Sequence, residues 1–437
     1  MDIERNRCIA KLDSVRENGF PKVITGIRRC GKSYLLDPLF KKHLIESGVK
    51  ENHILSIRLD DIKNAGLRDP IELTNKVLAF ARGKGMCYVF LDEIQEVYAL
   101  VNPSLTRGKR VLAKKGDKET IDFVDVILGL SRESNIDLYV TGSNAEMLSE
   151  DIETKFRDKA TIIPLSPLSF EEYHRFKGGQ ADAELYEYMQ YGGMPLAILK
   201  EGDDKRQYLK DLFELTYFKD IIEHNHLKRG ETLDELCNIL SEGSGQLLNA
   251  TKIASTYGSV KRERVDEQTV SNYLDYFKNA FIIREARRFD LKGRKEIGAL
   301  RKYYFCDTGL RNARLNYAFP DEGQMLENIV YNELLYHGFT VNVGTFDSFE
   351  RNKDGKNVRK TNEIDFFAEK GLRSYYLQVC LDFSSEKARE REIRPYHLLR
   401  DQAQKIIVLN QPIQETRDAN GYTIIGAADF LLRFLDA

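Results

Sequence analysis

Apolar positions in the first 175 residues fall into short runs that alternate with longer stretches of helical spacing. The runs predict five buried strands, KVIT, HILSIRL, CYVFL, DLYVT and ATIIPL. Between them, PIELTNKVLAFAR and TIDFVDVILGLS repeat apolar residues every three or four positions, which predicts amphipathic helices. Strands that alternate with helices favour a parallel sheet covered on both faces, so an α/β domain is expected over 1–175.

The pattern changes after residue 175. Helical spacing dominates 176–245. Over 246–319 the pattern predicts a short helix and turn in LNATKIASTYGS and a second helix in VDEQTVSNYLDYFKNA, with Asp266 as its N-cap. Two strands follow, FIIREARRF and ALRKYYFCD. Helix, turn, helix and β-hairpin is the element order of a winged-helix module.

The composition is that of a globular chain of 437 residues, long enough for two or three domains. Its 66 basic and 68 acidic residues nearly balance, so any nucleic-acid surface must be local. No stretch approaches about eighteen apolar residues, and the start lacks an apolar h-region, so neither a membrane span nor a signal peptide is expected. Six widely spaced cysteines without a CxxC pair indicate neither a zinc site nor a disulfide scaffold, and a cytoplasmic location is expected.

Two segments are locally basic. Residues 101–119 carry six basic side chains against two acids, and residues 284–302 carry eight against three. Basic loops and wings can bind phosphates, so both segments are candidate DNA contacts. A solvated loop is the alternative for the first segment. A protein-packing module is the alternative for the second, because Asp266, Glu267 and Asp275 on the predicted recognition helix would repel DNA.

The segment from Gly26 to Ser33 matches the phosphate-loop pattern G-x-x-x-x-G-K-[ST] and lies between a predicted strand and a predicted helix. Glycines let backbone N–H groups surround phosphates, and the helix N-terminus adds the positive end of its dipole. Lys32 is predicted to neutralise the β- and γ-phosphates of ATP, and the Ser33 hydroxyl to hold Mg²⁺. Pro38 should bend or shorten the helix. The predicted nucleotide-binding residues are Gly26, Ile27, Arg28, Arg29, Cys30, Gly31, Lys32, Ser33 and Tyr34.

Two further strand ends carry polar side chains. Asp92 and Glu93 follow CYVFL, and we predict that Asp92 holds Mg²⁺ while Glu93 activates the attacking water. The strand DLYVT ends in the sequence TGSN. Ser143 is the first choice there for contact with the γ-phosphate or the attacking water, and Asn144 is the second. A plain turn is the alternative for either residue.

The stretches GIRRCGKS, FLDEIQEV, VTGSNAEML, IIPLSPLSFEEY and YMQYGGMPLAIL resemble a bacterial and archaeal family of AAA-type P-loop ATPases with a C-terminal domain of unknown function. The resemblance extends over essentially the whole chain. It implies that Arg157 contacts the γ-phosphate, often that of a neighbouring subunit, and it therefore implies a homo-oligomer. A solvated surface arginine is the alternative for Arg157.

The resemblance also implies a restriction-endonuclease-like fold for the C-terminal region. Such a fold holds a metal with a helix glutamate, a strand acid and a Glu-x-Lys pair. Glu327 and Asp365 occupy the first two positions, but Gln378 and Cys380 occupy the last two. An amide is a poor ligand for a hard cation, and we expect no positive charge beside the two carboxylates. Nuclease activity is therefore not expected, although Glu363 could in principle compensate for the missing acid.

The predicted domains are an AAA-type ATPase core over 1–175, a helical region over 176–245, a winged-helix-like module over 246–319 and a degenerate α+β nuclease-like domain over 320–437. The expected function is hydrolysis of ATP with Mg²⁺ by a homo-oligomer that acts on DNA or is gated by DNA. The alternative is a slow nucleotide-dependent switch or scaffold that engages a protein partner, for example in defence or regulation. No membrane partner is expected.

Overall fold

The computed structural model describes residues 3–435 except for the following positions: 115, 143–155, 157, 226, 228–229, 319–320, 352–356, 382 and 400. The side chains of residues 223 and 224 are likewise not described. The chain divides into two compact units, 1–166 and 167–437. Within the described ranges, no helix combines the length and the apolar character needed to cross a bilayer.

The first unit contains the predicted parallel sheet. Its strands are β1 (Lys22–Thr25), β2 (Ile54–Arg58), β3 (Cys87–Asp92), β4 (Leu100–Val101), β5 (Thr120–Ile121), β6 (Ile136–Thr141) and β7 (Thr161–Pro164). Five of them form a parallel sheet in the order β2-β3-β6-β1-β7, which confirms the five predicted strands. The strands β4 and β5 form a separate antiparallel pair that closes the base of the basic segment 101–119.

Helical segments of the first unit cover both faces of this sheet. They are Asn6–Ser14, Lys32–Tyr34, Leu35–Phe40, Lys41–Glu46, Glu51–His53, Ile62–Arg68, Pro70–Ala81, Ile94–Glu96 and Phe123–Leu130. On one face, Val89 and Leu91 of β3 belong to the same buried cluster as Val77 of the helix Pro70–Ala81. On the other, the rings of Phe90 and Phe40 pack in a tilted arrangement with their centroids 6.0 Å apart. Successive strand residues point to opposite faces, so both faces are apolar.

Pro38 interrupts the helix that follows the phosphate loop, as predicted. The backbone leaves the helical region at Asp37, where φ is −136° and ψ is 108°. A residue that precedes proline is disfavoured in the α-helical region, because the proline ring clashes with its backbone. The helical residues Lys32–Tyr34 at the loop are therefore followed by a kink before Lys41–Glu46 begins.

The second unit is built on one mixed sheet of nine strands. These are β8 (Leu247–Leu248), β9 (Ile283–Asp290), β10 (Lys295–Phe305), β11 (Thr340–Arg351), β12 (Asn357–Lys370), β13 (Arg373–Cys380), β14 (Gln404–Leu409), β15 (Thr416–Arg417) and β16 (Thr423–Gly426). Their order is β15-β16-β14-β13-β12-β11-β9-β10-β8. The helical segments are Phe170–Lys177, Ala181–Tyr191, Pro195–Ile198, Gly202–Asp211, Leu212–Phe218, Lys219–His224, Gly230–Glu242, Ala250–Lys261, Glu267–Asn279, Thr308–Arg314, Glu322–Tyr336, Glu386–His397, Ala427–Asp429 and Phe430–Phe434.

The elements predicted for a winged helix occur in the predicted order. Two helices, the second capped by Asp266 through the Thr269 N–H at 2.9 Å, precede the antiparallel hairpin β9–β10. The hairpin is not a free wing, however, because β9 also pairs in parallel with β11. The nine-stranded sheet therefore extends across the predicted domain boundary at 319/320. The winged-helix and nuclease-like assignments remain predictions.

Candidate nucleotide-binding site

The phosphate-loop segment follows β1, which lies between β6 and β7 in the sheet. Gly26 has φ of +148°, and a Cβ atom at this position would lie 2.1 Å from the Leu165 carbonyl oxygen. Leu165 is held there because its N–H donates to the Thr25 carbonyl at 2.7 Å. Only glycine is compatible with both the backbone angle and this close approach. The segment after β7 therefore forms one wall of the loop.

Some side chains of the loop point into the interior and others face the solvent. Ile27 and Cys30 are buried, whereas Arg28 and Arg29 are exposed. The Cys30 N–H donates to the Ile27 carbonyl at 3.3 Å, which closes a tight turn. Gly31 has φ of +100°, a left-handed conformation that suits glycine, and it directly precedes the helical turn. The two apolar side chains thus anchor the loop while both arginines remain accessible.

Lys32 spans the loop from its C-terminal end. Its side chain is buried, and its Nζ donates to the carbonyl oxygens of Gly26 at 2.9 Å and Ile27 at 3.1 Å. An ammonium group has three donors, so these two bonds leave one for a phosphate oxygen. The ammonium is therefore fixed at the loop itself, which is the arrangement expected of a residue that neutralises a phosphate.

Three polar side chains from separate elements meet beside the loop. The Ser33 hydroxyl and the Thr141 hydroxyl both donate to Asp92 Oδ1, at 2.9 Å and 2.5 Å. Asp92 ends β3 and Thr141 ends β6, and these strands are parallel neighbours. The carboxyl ends of parallel neighbours meet at one edge of a sheet, so the contact follows from the topology. The structure thus brings together Ser33 and Asp92, the two predicted Mg²⁺ ligands.

The second oxygen of Asp92 indicates how a cation would fit. Asp92 Oδ2 is buried and accepts no hydrogen bond from the part of the chain that is described. Its nearby positive charge is the Arg58 guanidinium, with Nε 3.7 Å away. Burial raises the pKa of the Asp92 carboxyl, whereas the hydrogen bonds from Thr141 and Ser33 lower it. A buried oxygen without a donor, next to a serine hydroxyl, suits Mg²⁺, which prefers oxygen ligands and retains part of its water shell.

Glu93 lies immediately beyond β3 in an uncommon backbone conformation. Its φ of +54° is left-handed, and its N–H donates to the Thr141 hydroxyl oxygen at 3.1 Å. The Gln95 amide donates to its Oε2. Non-glycine residues with positive φ are uncommon, and they occur disproportionately at functional sites. Glu93 lies close enough to Asp92 for its charge to contribute to raising the pKa of the Asp92 carboxyl.

Sequence reasoning missed three residues that fix this site. Thr141 contacts both strand-end acids, Arg58 lies beside Asp92, and Arg5 supports the loop from the N-terminal segment. Arg5 is buried, and its guanidinium donates to the Ser166 carbonyl at 2.9 Å and to the Cys30 carbonyl at 3.4 Å. The position of Thr141 at a strand end was a usable signal. No local signal identified Arg5 or Arg58.

Three predicted residues lie outside the described part of the chain. They are Ser143, Asn144 and Arg157. Their proposed contacts with the γ-phosphate or the attacking water therefore remain predictions from the sequence.

The acids predicted in the C-terminal region do come together, but around a lysine. Lys302 Nζ lies 2.8 Å from Glu327 Oε1, 2.9 Å from Glu363 Oε1 and 3.8 Å from Asp365 Oδ1. The expectation that no positive charge would lie beside the carboxylates is therefore wrong. The lysine comes from β10, about sixty residues before the strand acid, so no short motif could reveal it.

Three of the eight basic side chains in the segment 284–302 form ion pairs within the fold. Arg287 contacts Glu285 and Glu296, and Arg301 contacts Glu285. Lys302 is buried among the carboxylates. These three side chains already face acids, and contact between this segment and DNA stays a prediction.

Two models of known protein families match parts of this chain. Residues 18–174 match the family model of an AAA domain, and residues 182–320 match that of a domain of unknown function. The first match contains the phosphate loop and both strand-end acids, and it supports a P-loop ATPase of the AAA type for this part of the chain.

Two relatives span most of the chain. An uncharacterized protein of Haemophilus influenzae is 27% identical over 437 residues, which covers 99% of each chain. An uncharacterized protein of Methanocaldococcus jannaschii is 26% identical over 392 residues, which covers 86% of this chain and 77% of the relative. Neither name carries a function.

The solved structures with similarity include nucleotide-bound proteins. The ORC2 protein of Aeropyrum pernix in ADPNP–ADP complexes has a TM-score of 0.36 and 11% identity, covering 72% of this chain and 94% of its own. AMPPCP-bound DnaA from Aquifex aeolicus has a TM-score of 0.30 and 13% identity, covering 62% of this chain and 85% of its own. Both TM-scores are below 0.5, so neither likeness bears on the function of this chain.

Proposed function

We propose that this chain binds ATP with Mg²⁺ and hydrolyses the nucleotide at the phosphate loop of its first unit. The observation that carries the proposal is the contact of Ser33 with Asp92 at 2.9 Å, beside a buried Asp92 oxygen that lacks a donor among the described residues. A phosphate loop, a lysine fixed across it and an oxygen pair for a cation together match the needs of a nucleoside triphosphate.

Each group at the site has a distinct task in this proposal. The loop N–H groups and the Lys32 ammonium bind the β- and γ-phosphates, and the exposed Arg28 and Arg29 lie at the loop surface. Ser33 and Asp92 hold Mg²⁺, which supplies neutralisation of the phosphate charge. Glu93 orients the attacking water and accepts its proton. Thr141 holds both acids in place through its single hydroxyl.

The assembly and the remaining contacts are proposed from the family resemblance. Arg157 acts on the γ-phosphate of a neighbouring subunit, so the working form is a homo-oligomer. Ser143 contacts the γ-phosphate or the attacking water. The location is the cytoplasm.

DNA is the proposed substrate or gating ligand. Its candidate contacts are the basic side chains in segments 101–119 and 284–302 that are exposed and not paired with an acid. In the segment 101–119, Arg110 pairs with Asp69 and Glu72. The exposed Lys109 and Lys114 have no ion pair among the residues described. In the segment 284–302, Arg294 and Lys295 are also exposed and have no ion pair among the residues described. Arg107, Lys118 and Lys292 are likewise exposed. These seven side chains are therefore candidates for contact with phosphates.

One observation favours the alternative of a nucleotide-dependent switch with a protein partner. The hairpin β9–β10 is built into the nine-stranded sheet, and Arg287 and Arg301 are paired with acids. Such a hairpin suits packing better than insertion into DNA. A motor turns over ATP steadily and faster with its substrate, whereas a switch needs only occupancy-dependent assembly.

The test is the steady-state ATPase rate with and without duplex DNA, with light scattering on the same samples. Stimulation by DNA supports the DNA-gated enzyme. Slow turnover that DNA leaves unchanged, with ATP-dependent assembly, supports the switch. Absence of ATP binding would overturn both.

The DNA surface is tested with variants that each remove two positive charges. These are Lys109→Ala with Lys114→Ala, Arg294→Ala with Lys295→Ala, and the control Lys42→Ala with Lys50→Ala. Loss of two phosphate contacts should flatten the slope of log K against log salt by about 1.8. Equal binding by all three variants would reject both surfaces.

A further inference from the structure

The carboxylate cluster of the second unit is assembled by three elements. Glu327 lies on the helix Glu322–Tyr336, while Glu363 and Asp365 lie two residues apart on β12 and so on one face of that strand. Lys302 reaches the cluster from β10, and its side chain is only 4% exposed. Asp365 and Glu327 are 14% and 16% exposed, and Glu363 is 36% exposed.

A cation is required at this position for electrostatic reasons. Buried carboxylates repel one another, and a buried charge without a partner costs several kcal/mol. Burial and the charge of Glu327 raise the pKa of Asp365, whereas the Lys302 ammonium and the Val379 N–H lower it. Burial lowers the pKa of Lys302, but the three carboxyl groups raise it by more, so the ammonium stays charged. Lys302 therefore neutralises much of the negative charge.

Other groups of the chain donate further hydrogen bonds to the carboxylates of the cluster. The Tyr304 hydroxyl donates to Glu327 Oε1 at 2.5 Å, and the Val379 N–H donates to Asp365 Oδ2 at 2.9 Å. Gln378 points its amide nitrogen at Glu392 Oε2, 3.0 Å away, and its amide oxygen accepts from the Asp365 N–H. Both the nitrogen and the oxygen of the Gln378 amide therefore form hydrogen bonds within the chain.

The divalent metal implied by the nuclease-like resemblance does not fit these residues. The point on which the three carboxylates converge is taken by Lys302 Nζ. Over the ranges that the structure covers, no three His, Cys, Asp or Glu side chains are placed to hold a metal ion. The three acids instead face the Lys302 ammonium.

We propose that the Lys302 ammonium is the resident cation of the Glu327–Glu363–Asp365 cluster, and that it excludes a divalent metal from the intact protein. The second unit then lacks a metal-activated water for phosphodiester cleavage. Its acids instead tie β10, β12 and the helix Glu322–Tyr336 together through one lysine. This proposal does not depend on the nucleotide site.

The geometry also predicts what removal of the lysine would do. Glu363 lines a groove of about 390 Å³ that is otherwise formed largely by β12 and the helix Glu386–His397. An ion from solvent can therefore reach the cluster through Glu363. Without the ammonium, three carboxylates facing one point should attract a hard divalent cation. Lys302→Met, which keeps the length of the side chain without its charge, should create a metal site.

The experiment measures Mn²⁺ binding by electron paramagnetic resonance without nucleotide, together with thermal unfolding in Mn²⁺ and in EDTA. Lys302→Met should bind Mn²⁺ at least about tenfold more tightly than the wild type. Adding Asp365→Asn should abolish the gain. The control Lys370→Met removes an exposed lysine from β12 and should bind Mn²⁺ no more tightly than the wild type.

Two results would overturn the proposal. One is a folded Lys302→Met protein without new Mn²⁺ binding. The other is Mn²⁺ binding by the wild type that disappears in Asp365→Asn, and this comparison does not require the lysine variant to fold. If Lys302→Met unfolds in EDTA, Lys302→Met with Glu327→Gln restores the charge balance. Rescue of folding by that change, or by Mn²⁺, supports the resident-cation role.

Discussion

Lys32 and Glu93 are the residues whose roles are most sharply separable. Lys32 donates to two loop carbonyls, and its proposed role is to bind the nucleotide in the ground state. Glu93 lies beyond the strand end, next to the pair formed by Asp92 and Thr141. Substitution of the first should act on nucleotide affinity, and substitution of the second on the chemical step.

Lys32→Ala should abolish ATP binding, because the phosphate charge loses its main side-chain partner. Fluorescent-nucleotide titration measures this directly. Lys42→Ala, an exposed lysine change on a nearby helix, should leave the affinity unchanged. Wild-type affinity in Lys32→Ala would remove the phosphate loop from the proposal.

Glu93→Gln should retain ATP binding and slow hydrolysis by roughly 10²–10⁴-fold, the usual cost of losing a general base. Single-turnover hydrolysis measures the chemical step apart from binding. Glu96→Gln, in the same helical turn, is the matched control. An unchanged rate in Glu93→Gln would transfer the role to another residue.

At the scale of elements, two glycine-containing turns of the second unit are held together by one acid. Asp307 caps the helix Thr308–Arg314 by accepting from the Leu310 N–H at 3.0 Å, and it also accepts from the Gly193 N–H at 2.6 Å. A Cβ at Gly309 would lie 2.0 Å from the Tyr191 carbonyl oxygen. The YGGMP stretch is therefore placed by packing, and its contacts here are structural.

The pH dependence of this junction follows from burial, which raises the pKa of Asp307 from 3.8 to about 6. The folded chain holds this proton more tightly than the unfolded chain. Its contribution to stability is present below about pH 4 and is lost as the pH rises to about 6, with a limit of about 3 kcal/mol.

Asp307→Asn should remove this dependence and leave a pH-independent loss of about 1–3 kcal/mol, because one acceptor is missing. Urea unfolding of the wild type and the variant between about pH 4 and pH 7 gives the difference. Asp182→Asn, an exposed acid in the same unit, should leave the pH slope unchanged. A slope in Asp307→Asn equal to that of the wild type would contradict the prediction.

At the scale of the whole molecule, hydrolysis is expected to require assembly. Arg157→Ala should lower the ATPase rate by about 10³-fold or more if the arginine completes a neighbour's site. Mixing Arg157→Ala with Glu93→Gln subunits then restores activity, because some interfaces combine an intact Glu93 with an intact Arg157. Mixtures that stay inactive at every ratio would argue against action between subunits.

The sequence by itself determined the features that depend on local order. Alternating strand and helix periods predicted the five-stranded sheet, and a contiguous motif located the phosphate loop. Asp92 and Glu93 were predicted as site residues because they lie at the end of a buried strand. Such features depend only on residues that are close together in the sequence, so a short stretch of sequence is enough to predict them.

Only the tertiary structure decided which distant groups complete each site. Thr141 reaches Asp92 across 49 positions, and Arg5 reaches Ser166 across 161. Lys302 lies in a basic segment that suggested an exposed surface, yet burial next to three acids makes it an internal counter-ion. A charge that will be buried looks the same in sequence as one that faces water, because its energy depends on partners that only the fold supplies.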